Sequence, residues 1–599
     1  MLSTNPLVND RFIDFLLFEV LNVEALHALP AFSEHNRETV EIYLASARRL
    51  ARQHLFPAYK PMDEAPPRLE NGHVYVHALM HDLYPRLVEL GVLSATRPPE
   101  VGGQRLPISV AVLASCYLMA ANLSAYGYLG LTTGAARLIE SFGSDELKER
   151  FMSRMYSGEW TGTMALTEPQ AGSSLTDVKT TAVKTDAGHY LIKGSKIFIS
   201  GGDHDLTENI VHLTLARIEG APPGIKGVSL FAIPKKRFEG DTLVPNDIEV
   251  AGVIHKIGWR GLPSLALAYG SSGDCHGWLV GQPHRGISYM FQMMNEARLM
   301  VGMNGAATAS VAFHESLEYA KTRPQGRSYE NRDPNSPQIP IIEHVDVRRM
   351  LLRQKSIAWG SLALLAQTAR LTDLSEHAET EAERQRAFFL LDLLTPMAKS
   401  FPAEKGFESN ALAVQILGGY GYSSEYLPES WLRDQKLNSI HEGTTGIHSL
   451  DLLGRKVPSA GGATFATLLE EITKTCNEAR EVGIEAEWAQ CLEEAVVTTR
   501  ETTQHLAMLG LEGNVMGMLR HSAHYLDLAS TLVMGWIWLD MSVKAQRNRE
   551  TRREDADFYE GILLAAQYWI HTEVPRIGYL AKLCRSGEDS YARIRVEQF

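Results

Sequence analysis

Cysteine is scarce in this 599-residue sequence. The five that occur (Cys116, Cys275, Cys476, Cys491 and Cys584) form no CxxC pair. That excludes a zinc ribbon or a disulfide scaffold and fits a reducing compartment. No GxGxxG, P-loop GK[ST], HExxH or GxSxG motif is present. A Rossmann dinucleotide site, a P-loop, a zincin and an α/β-hydrolase therefore lack sequence support, and no metal site is expected. Positive charge is in deficit, with 58 Lys+Arg against 71 Asp+Glu and a net charge of -13, which makes a poor general nucleic-acid binder. Repeats and low-complexity tracts are absent. The opening MLSTNPLVNDRF has no basic-then-apolar signal pattern, so a cytoplasmic protein is expected.

What is present is an ordinary globular balance, 45% hydrophobic and 22% charged, in a chain too long for one hydrophobic core. One run, Ile108 to Arg137, has no charged side chain before its final arginine and is long enough on paper to span a bilayer. It carries Ser109, Ser115, Asn122, Ser124, Tyr126 and Tyr128, however, and lacks dense Leu, Ile and Val. The expectation is a buried helix pair and no membrane span.

Apolar residues recur every three or four positions in FIDFLLFEVLNVEAL and VEIYLASARRLARQHL, so residues 1–160 read as a helical domain. Short β-rich runs bounded by Gly, Pro, Asp and Asn mark residues 161–285 as a β domain. The helical period returns over 286–456, interrupted by the loop RDPNSPQIP at 332–340. After a linker, VPSAGGA at 457–463, it continues through a helical extension, so the last segment is 457–599.

Three blocks carry chemistry. In MALTEPQAGSSLTDV, 164–178, Thr167, Ser173 and Ser174 offer hydroxyls and Gly172 admits close backbone approach. Such a turn can hold phosphate or the edge of a flat ring, or it can simply join two elements. In SKIFISGG, 195–202, Phe198 and Ser200 share one face of a strand, where a phenyl can cover a flat cofactor or fill a core. In QILGGYGYSSEYLPESWLRDQKLNSIHEGTTGIHSLDLLGRK, 415–456, a helix breaks at Gly418, Gly419 and Gly421, and the chain breaks again at His441-Glu442-Gly443-Thr444. Glu442 there is either a general base with a raised pKa or a cap for the helix that follows.

Taken together, the blocks resemble the acyl-CoA dehydrogenase family over residues 35 to 456. LTEPQAGS and RDxKxNSIHEGTTGI are its most specific signatures, and GWLVG (277–281), NEAR (295–298) and RPQGR (323–327) fall where the family has its equivalents. The resemblance implies an α+β, mainly α fold: a helical N-terminal domain, a middle β-barrel, a four-helix bundle and an extra C-terminal helical domain. It implies an FAD enzyme in which Glu442 removes the α-proton of an acyl-CoA and the β-hydrogen passes as hydride to flavin N5, leaving trans-2-enoyl-CoA. Backbone N–H of Glu442 and the ribityl hydroxyl of the flavin would polarise the thioester oxygen. For FAD it implicates Met164, Leu166, Thr167, Gly172, Ser173, Phe198 and Ser200, with Thr444 and Gly446. Arg323, Gln325, Gln415 and Gly419 would reach the FAD of a neighbouring subunit, hence a homodimer or dimer of dimers. Ser173, Asn295, Arg298 and Gly443 are implied to serve the substrate, and an electron-transfer flavoprotein would take the electrons.

The sequence departs from the pattern in three places. His441 stands where many relatives have Tyr, Tyr420 replaces a common Asn, and RPQGR is shorter than the usual motif. Residues 461–599 resemble the extension of a long bacterial branch that includes 3-(methylthio)propanoyl-CoA and broad-range fatty acyl-CoA dehydrogenases. Tyr126, Tyr128 and Leu129 lie where relatives form the floor of the acyl pocket, which points to a short or medium chain. Two other readings remain: an oxidase that uses oxygen, and a non-enzymatic flavoprotein that binds DNA or a protein. Against DNA, residues 461–599 hold 21 acidic and 14 basic side chains.

Overall fold

The computed structural model describes residues 5–331 and 333–599, without the side chains of residues 291–295. Two compact units emerge, Glu34–Pro107 with Ala114–Ala297, and Met1–Ser33 with Ile108–Leu113 and Arg298–Phe599. All five cysteines are free thiols.

In the first of these units, the helix Arg37–Leu50 shows why the sequence period was readable. Val40, Tyr43, Leu44, Ala47 and Leu50 are its buried residues, and Asn36 and Thr39 close a reciprocal capping box at its start. The uncharged run forms the long helix α1, Ile108–Phe142, broken at Asn122 (φ -162°, ψ 92°). The Asn122 side chain accepts from Ala125 N at 3.0 Å and so restarts the helix. Asn122 is what divides the run into the expected pair.

The main sheet of the β domain comprises β1 Thr161–Ala165, β2 Thr181–Lys184, β3 Tyr190–Ser200, β4 Ile210–Ile218, β5 Val228–Pro234, β6 Ile248–Val253, β7 Ser264–Tyr269 and β8 His276–Leu279. They join in the order β6-β7-β3-β8-β5-β4-β1, and β2 pairs with both β3 and β4. That double pairing closes β3, β8, β5, β4 and β2 into a ring, the barrel. Closure leaves β4 and β5 buried on both faces. Val211, Leu213, Leu215, Leu230 and Ala232 pack with Trp160 and Phe151 on one side. Phe231 and Ile233 pack with Ile192, Leu265 and Leu267 on the other.

The other unit is helical. Three long helices, α2 Gly286–Thr322, α3 Val345–His377 and α4 Glu381–Leu417, supply most of the bundle. Two short ones, Pro428–Lys436 and α5 Thr445–Asp451, follow α4. Helices α2 and α4 touch backbone to backbone, since a Cβ on Gly302 would lie 2.2 Å from the Ala398 carbonyl oxygen. The extension contributes α6 Ala463–Glu481, α7 Ala486–Leu511, α8 Ser522–Arg549, α9 Ala556–Thr572 and α10 Arg576–Arg585. It docks on α3: the Trp538 indole donates to Ser356 O at 3.3 Å, and Lys355 donates to Gly561 O at 2.9 Å while lying 4.3 Å from the Trp359 ring centroid. Among the described residues two helices, α1 and α8, are long and apolar enough to cross a membrane, but 83% and 89% of their apolar windows are buried within the protein.

Candidate active site

The loop after β1 begins the first cluster. Met164 and Leu166 are partly buried and pack on the core beneath the sheet, anchoring the loop. The Thr167 carbonyl accepts from Ile197 N at 2.9 Å, which ties the loop to β3. Beyond it, Gly172 and Ser173 are exposed, and a Cβ on Gly172 would meet nothing within 4 Å. The loop is held from below by Glu168, which sequence reasoning passed over. One carboxylate oxygen accepts from Lys196 Nζ at 2.8 Å, Thr180 Oγ1 at 2.6 Å and Thr180 N at 3.0 Å. The other accepts from Lys179 N at 2.7 Å and Gln170 Nε2 at 2.6 Å. Burial alone would raise the Glu168 carboxyl, but Lys196 and these donors outweigh it and bring the pKa to about 2. Burial pulls Lys196 down to about 8. Lys196 also donates to Leu166 O at 3.1 Å, so one ammonium holds both Leu166 and Glu168 at the start of the loop.

Phe198 sits at a β-bulge. Lys196 pairs with Leu267 and Ile199 with Leu265, which leaves one residue more on β3 than on β7. Phe198 absorbs it at φ +61°, a left-handed value uncommon for a residue with a Cβ. Phe198 is 60% exposed. Ser200, half-buried, ends the strand opposite Ser264. A bare phenyl on a strained bulge, an open glycine and exposed hydroxyls on a rigid loop fit a flat, phosphate-bearing cofactor; a core phenylalanine would be covered.

The second cluster surrounds Glu442. Glu442 and Gly443 adopt successive left-handed conformations, φ +53° and +95°, which turn the chain sharply before α5. Thr444 caps that helix, its side chain accepting from Ile447 N at 3.4 Å. The alternative reading of Glu442 as the cap is thereby excluded. Glu442 is half-buried by surface, yet protein surrounds it closely. Desolvation raises its pKa, and the positive charges of Arg298 and Lys399 only partly offset this. Among the described residues its carboxylate makes no hydrogen bond or ion pair.

Arg298 is 3% exposed, and its guanidinium pairs with Asp451 at 3.1 Å. It thus acts on Glu442 by charge from within the helical unit. Lys399, fully buried on α4, donates to Gly443 O at 2.7 Å, and His448 Nε2 bonds Glu442 O at 3.2 Å. Neither was expected from sequence. A motif search sees them only as a lysine and a histidine inside helical stretches. Burial, with Lys399 nearby, holds His441 neutral at about 3, so it packs without adding charge to the base. Gly446 lies exposed one residue inside α5. The side chain of Asn295 lies outside the described residues.

Arg323, Gln325, Gln415 and Gly419 form a third group, on the surface of the helical unit. The Arg323 guanidinium lies 5.4 Å from the Tyr420 ring centroid, beside Gly419 in the chain. Gln325 is exposed, and its carbonyl oxygen is 2.7 Å from His344 Nε2. Gln415 and Gly419 are exposed at the end of α4. The shortened RPQGR segment is therefore ordered by backbone contacts.

Comparison with known proteins identifies the family. Family models match in chain order: acyl-CoA dehydrogenase N-terminal domain at 37–159, middle domain at 163–269 and C-terminal domain at 284–457. A fourth, acetyl-CoA dehydrogenase C-terminal like, matches 468–595. The chain is 37% identical to 3-methylmercaptopropionyl-CoA dehydrogenase of Ruegeria pomeroyi, over 93% of this chain and 94% of that one. It is 32% identical to a butyryl-CoA dehydrogenase of Syntrophomonas wolfei over the full length of both. The acyl-CoA dehydrogenase of Bacillus anthracis complexed with FAD shares the fold, with a TM-score of 0.74, 20% identity, and coverage of 98% of this chain and 92% of that one. The protein belongs to the acyl-CoA dehydrogenase family.

Proposed function

We propose that the protein oxidises a short acyl-CoA to its trans-2-enoyl-CoA, with Glu442 as base. The observation that carries this is the Glu442 carboxylate itself, desolvated, unbonded among the described residues, and relieved of capping duty by Thr444. A carboxylate with a raised pKa accepts a proton more readily, which suits removal of the α-proton. The backbone N–H of the same residue donates to the thioester oxygen and stabilises the charge that develops there. Arg298 and Lys399 keep enough positive potential near the carboxylate for it to ionise.

FAD, when bound, supplies the acceptor for the β-hydride. Gly172 and Ser173 would hold its pyrophosphate and Phe198 a ring face, with Met164, Leu166, Thr167 and Ser200 along the ring edge and Thr444 and Gly446 at its border. Ser173, Asn295 and Gly443 serve the substrate. Arg323, Gln325, Gln415 and Gly419 reach the cofactor of a second subunit in a homodimer or dimer of dimers. An electron-transfer flavoprotein takes the electrons, in the cytoplasm.

Two observations support a short chain. The relatives named above act, by their names, on 3-methylmercaptopropionyl-CoA and butyryl-CoA. Tyr126 and Tyr128 are buried and pinned, their hydroxyls donating to Ser115 Oγ at 3.2 Å and Gly261 O at 3.1 Å. The test is anaerobic titration of the yellow protein with acyl-CoAs of graded length, including 3-(methylthio)propanoyl-CoA. Bleaching of the flavin band by short members supports the proposal. A flavin that no acyl-CoA bleaches refutes it. Peroxide formed in air at the rate of turnover would replace the flavoprotein acceptor with oxygen.

A further inference from the structure

The turn that carries Glu442 is not held by its own residues. Left-handed backbone at a glutamate is unfavourable, so something must over-determine it. Two side chains from outside the turn do so. Lys399, on α4 and fully buried, donates to the Gly443 carbonyl at 2.7 Å. His448, on α5 and also fully buried, bonds the Glu442 carbonyl at 3.2 Å through Nε2. A carbonyl only accepts, so Nε2 carries the proton, and burial keeps the ring neutral at about 3. With consecutive carbonyls drawn towards Lys399 and His448, the two peptide planes of the turn are fixed. The direction of the Glu442 side chain follows from them.

We propose that Lys399 and His448 are positioning residues that clamp the Glu442–Gly443 turn through its two carbonyls and so aim the base at the substrate. The inference rests on the reading of Glu442 as the base. The clamp also explains why a lysine is tolerated in the interior: a fixed ammonium both bonds the turn and places positive charge by the base. The charges acting there come from each packed element. Arg298 on α2 is paired to Asp451 on α5, which also binds Arg455 at 2.8 Å. Lys399 on α4 also feels Glu404, whose carboxylate accepts from Thr445 Oγ1. His441 and His448 are neutral. Lys399 is therefore the cation that bonds the turn directly.

The two arms of the clamp differ in one measurable respect. Lys399→Met removes a bond and a charge, whereas His448→Gln perturbs only a neutral bond. In the FAD-loaded full-length enzyme, both variants should retain FAD and keep KM for butyryl-CoA within about threefold, because neither residue binds them. The rate of flavin reduction should fall about ten- to a hundredfold, the cost of misaiming a reacting group by about an ångström. In Lys399→Met the acid limb of the pH profile should also move to higher pH, because the carboxylate loses a stabilising cation. In His448→Gln it should stay. Lys399→Arg, which keeps donor and charge, should restore the position of the limb.

If Glu442→Gln is inert while Lys399→Met and His448→Gln reduce flavin at the wild-type rate, the clamp is wrong and the base stands. If Glu442→Gln reduces flavin normally, the base reading falls and takes the clamp with it. Should Lys399→Met fail to fold, His448→Gln and Lys399→Arg decide the matter: wild-type reduction by the first, or an acid limb displaced in the second, overturns the clamp.

Discussion

The carboxylate of Glu168 and the ammonium of Lys196, 28 residues apart in the chain, meet at 2.8 Å with both side chains all but sealed from solvent. The pair lies under the glycine and serine turn proposed to cradle the cofactor, and Lys196 also bonds the Leu166 carbonyl. With Glu168 at about 2 and Lys196 at about 8, both remain charged between those values. The net worth of such a pair is small, but removing one partner strands a buried charge at about 3–5 kcal/mol. Lys196→Met should therefore lower thermal stability and lose FAD more readily than wild type, seen as apoprotein after gel filtration. The Glu168 contribution has a definite sign. A folded pKa below the ordinary 4.5 gives stability that is full above about 4.5 and fades as pH falls towards about 2. A variant that kept both FAD and melting temperature would show the pair to be dispensable to the loop.

Glu442→Gln isolates the base. It keeps the size of the side chain and removes the proton acceptor, so FAD content and acyl-CoA binding should be unchanged while flavin reduction falls by at least about a hundredfold. The raised pKa adds two expectations. In wild type, flavin reduction should increase with pH as the carboxylate ionises, with a midpoint above the ordinary value of 4.5. Stability runs the opposite way, because a raised folded pKa favours the folded state below 4.5 and loses that benefit as pH rises through the folded value. Glu442→Gln should accordingly melt above wild type at pH 7, and the gap should close in acid. Stopped-flow bleaching and melting curves at several pH values check both.

The parts of this site that were legible in the sequence are local. LTEPQAGS and HEGTTGI are contiguous, and the helical period of Val40, Tyr43, Leu44, Ala47 and Leu50 is a property of one segment. What stayed hidden depends on contacts between distant segments. Lys399 precedes Gly443 by 44 residues, and nothing near either predicts their bond. The second pairing of β2 closes the ring through β4, whose sequence shows only a buried strand. The exposure of Phe198 depends on a bulge set by its register against β7, where simple alternation gave only a face. Arg298 precedes Asp451 by 153 residues, so no local pattern shows that bond either.

Phe198 offers a direct test of the bulge. An exposed phenyl held at positive φ has little to gain from the core, so its removal should barely move the melting temperature of the apoprotein. Stacking on a flat ring is worth about 0.5–1.5 kcal/mol, or roughly three- to tenfold in affinity. Phe198→Ala should weaken FAD binding by about that factor, and Phe198→Trp should preserve it. Fluorescence titration of apoprotein with FAD measures both. Equal affinity in all three would mean that the ring faces something other than the cofactor.

Chain length is the property on which the pinned tyrosines bear most directly. A tyrosine that closes a pocket with a free hydroxyl could swing aside for a longer substrate. Tyr126 and Tyr128 would each break a hydrogen bond to do so, to Ser115 and to Gly261. Each unmade bond in a buried site costs about 1–3 kcal/mol, comparable with the gain from one more buried methylene. Wild type should therefore prefer butyryl-CoA or 3-(methylthio)propanoyl-CoA over octanoyl-CoA by at least about tenfold in kcat/KM. Tyr126→Ala should raise the octanoyl to butyryl ratio by about ten- to a hundredfold, whereas Tyr126→Phe, which frees the ring without opening space, should raise it less. If neither substitution moves the ratio, the acyl chain lies elsewhere and the two tyrosines are core residues.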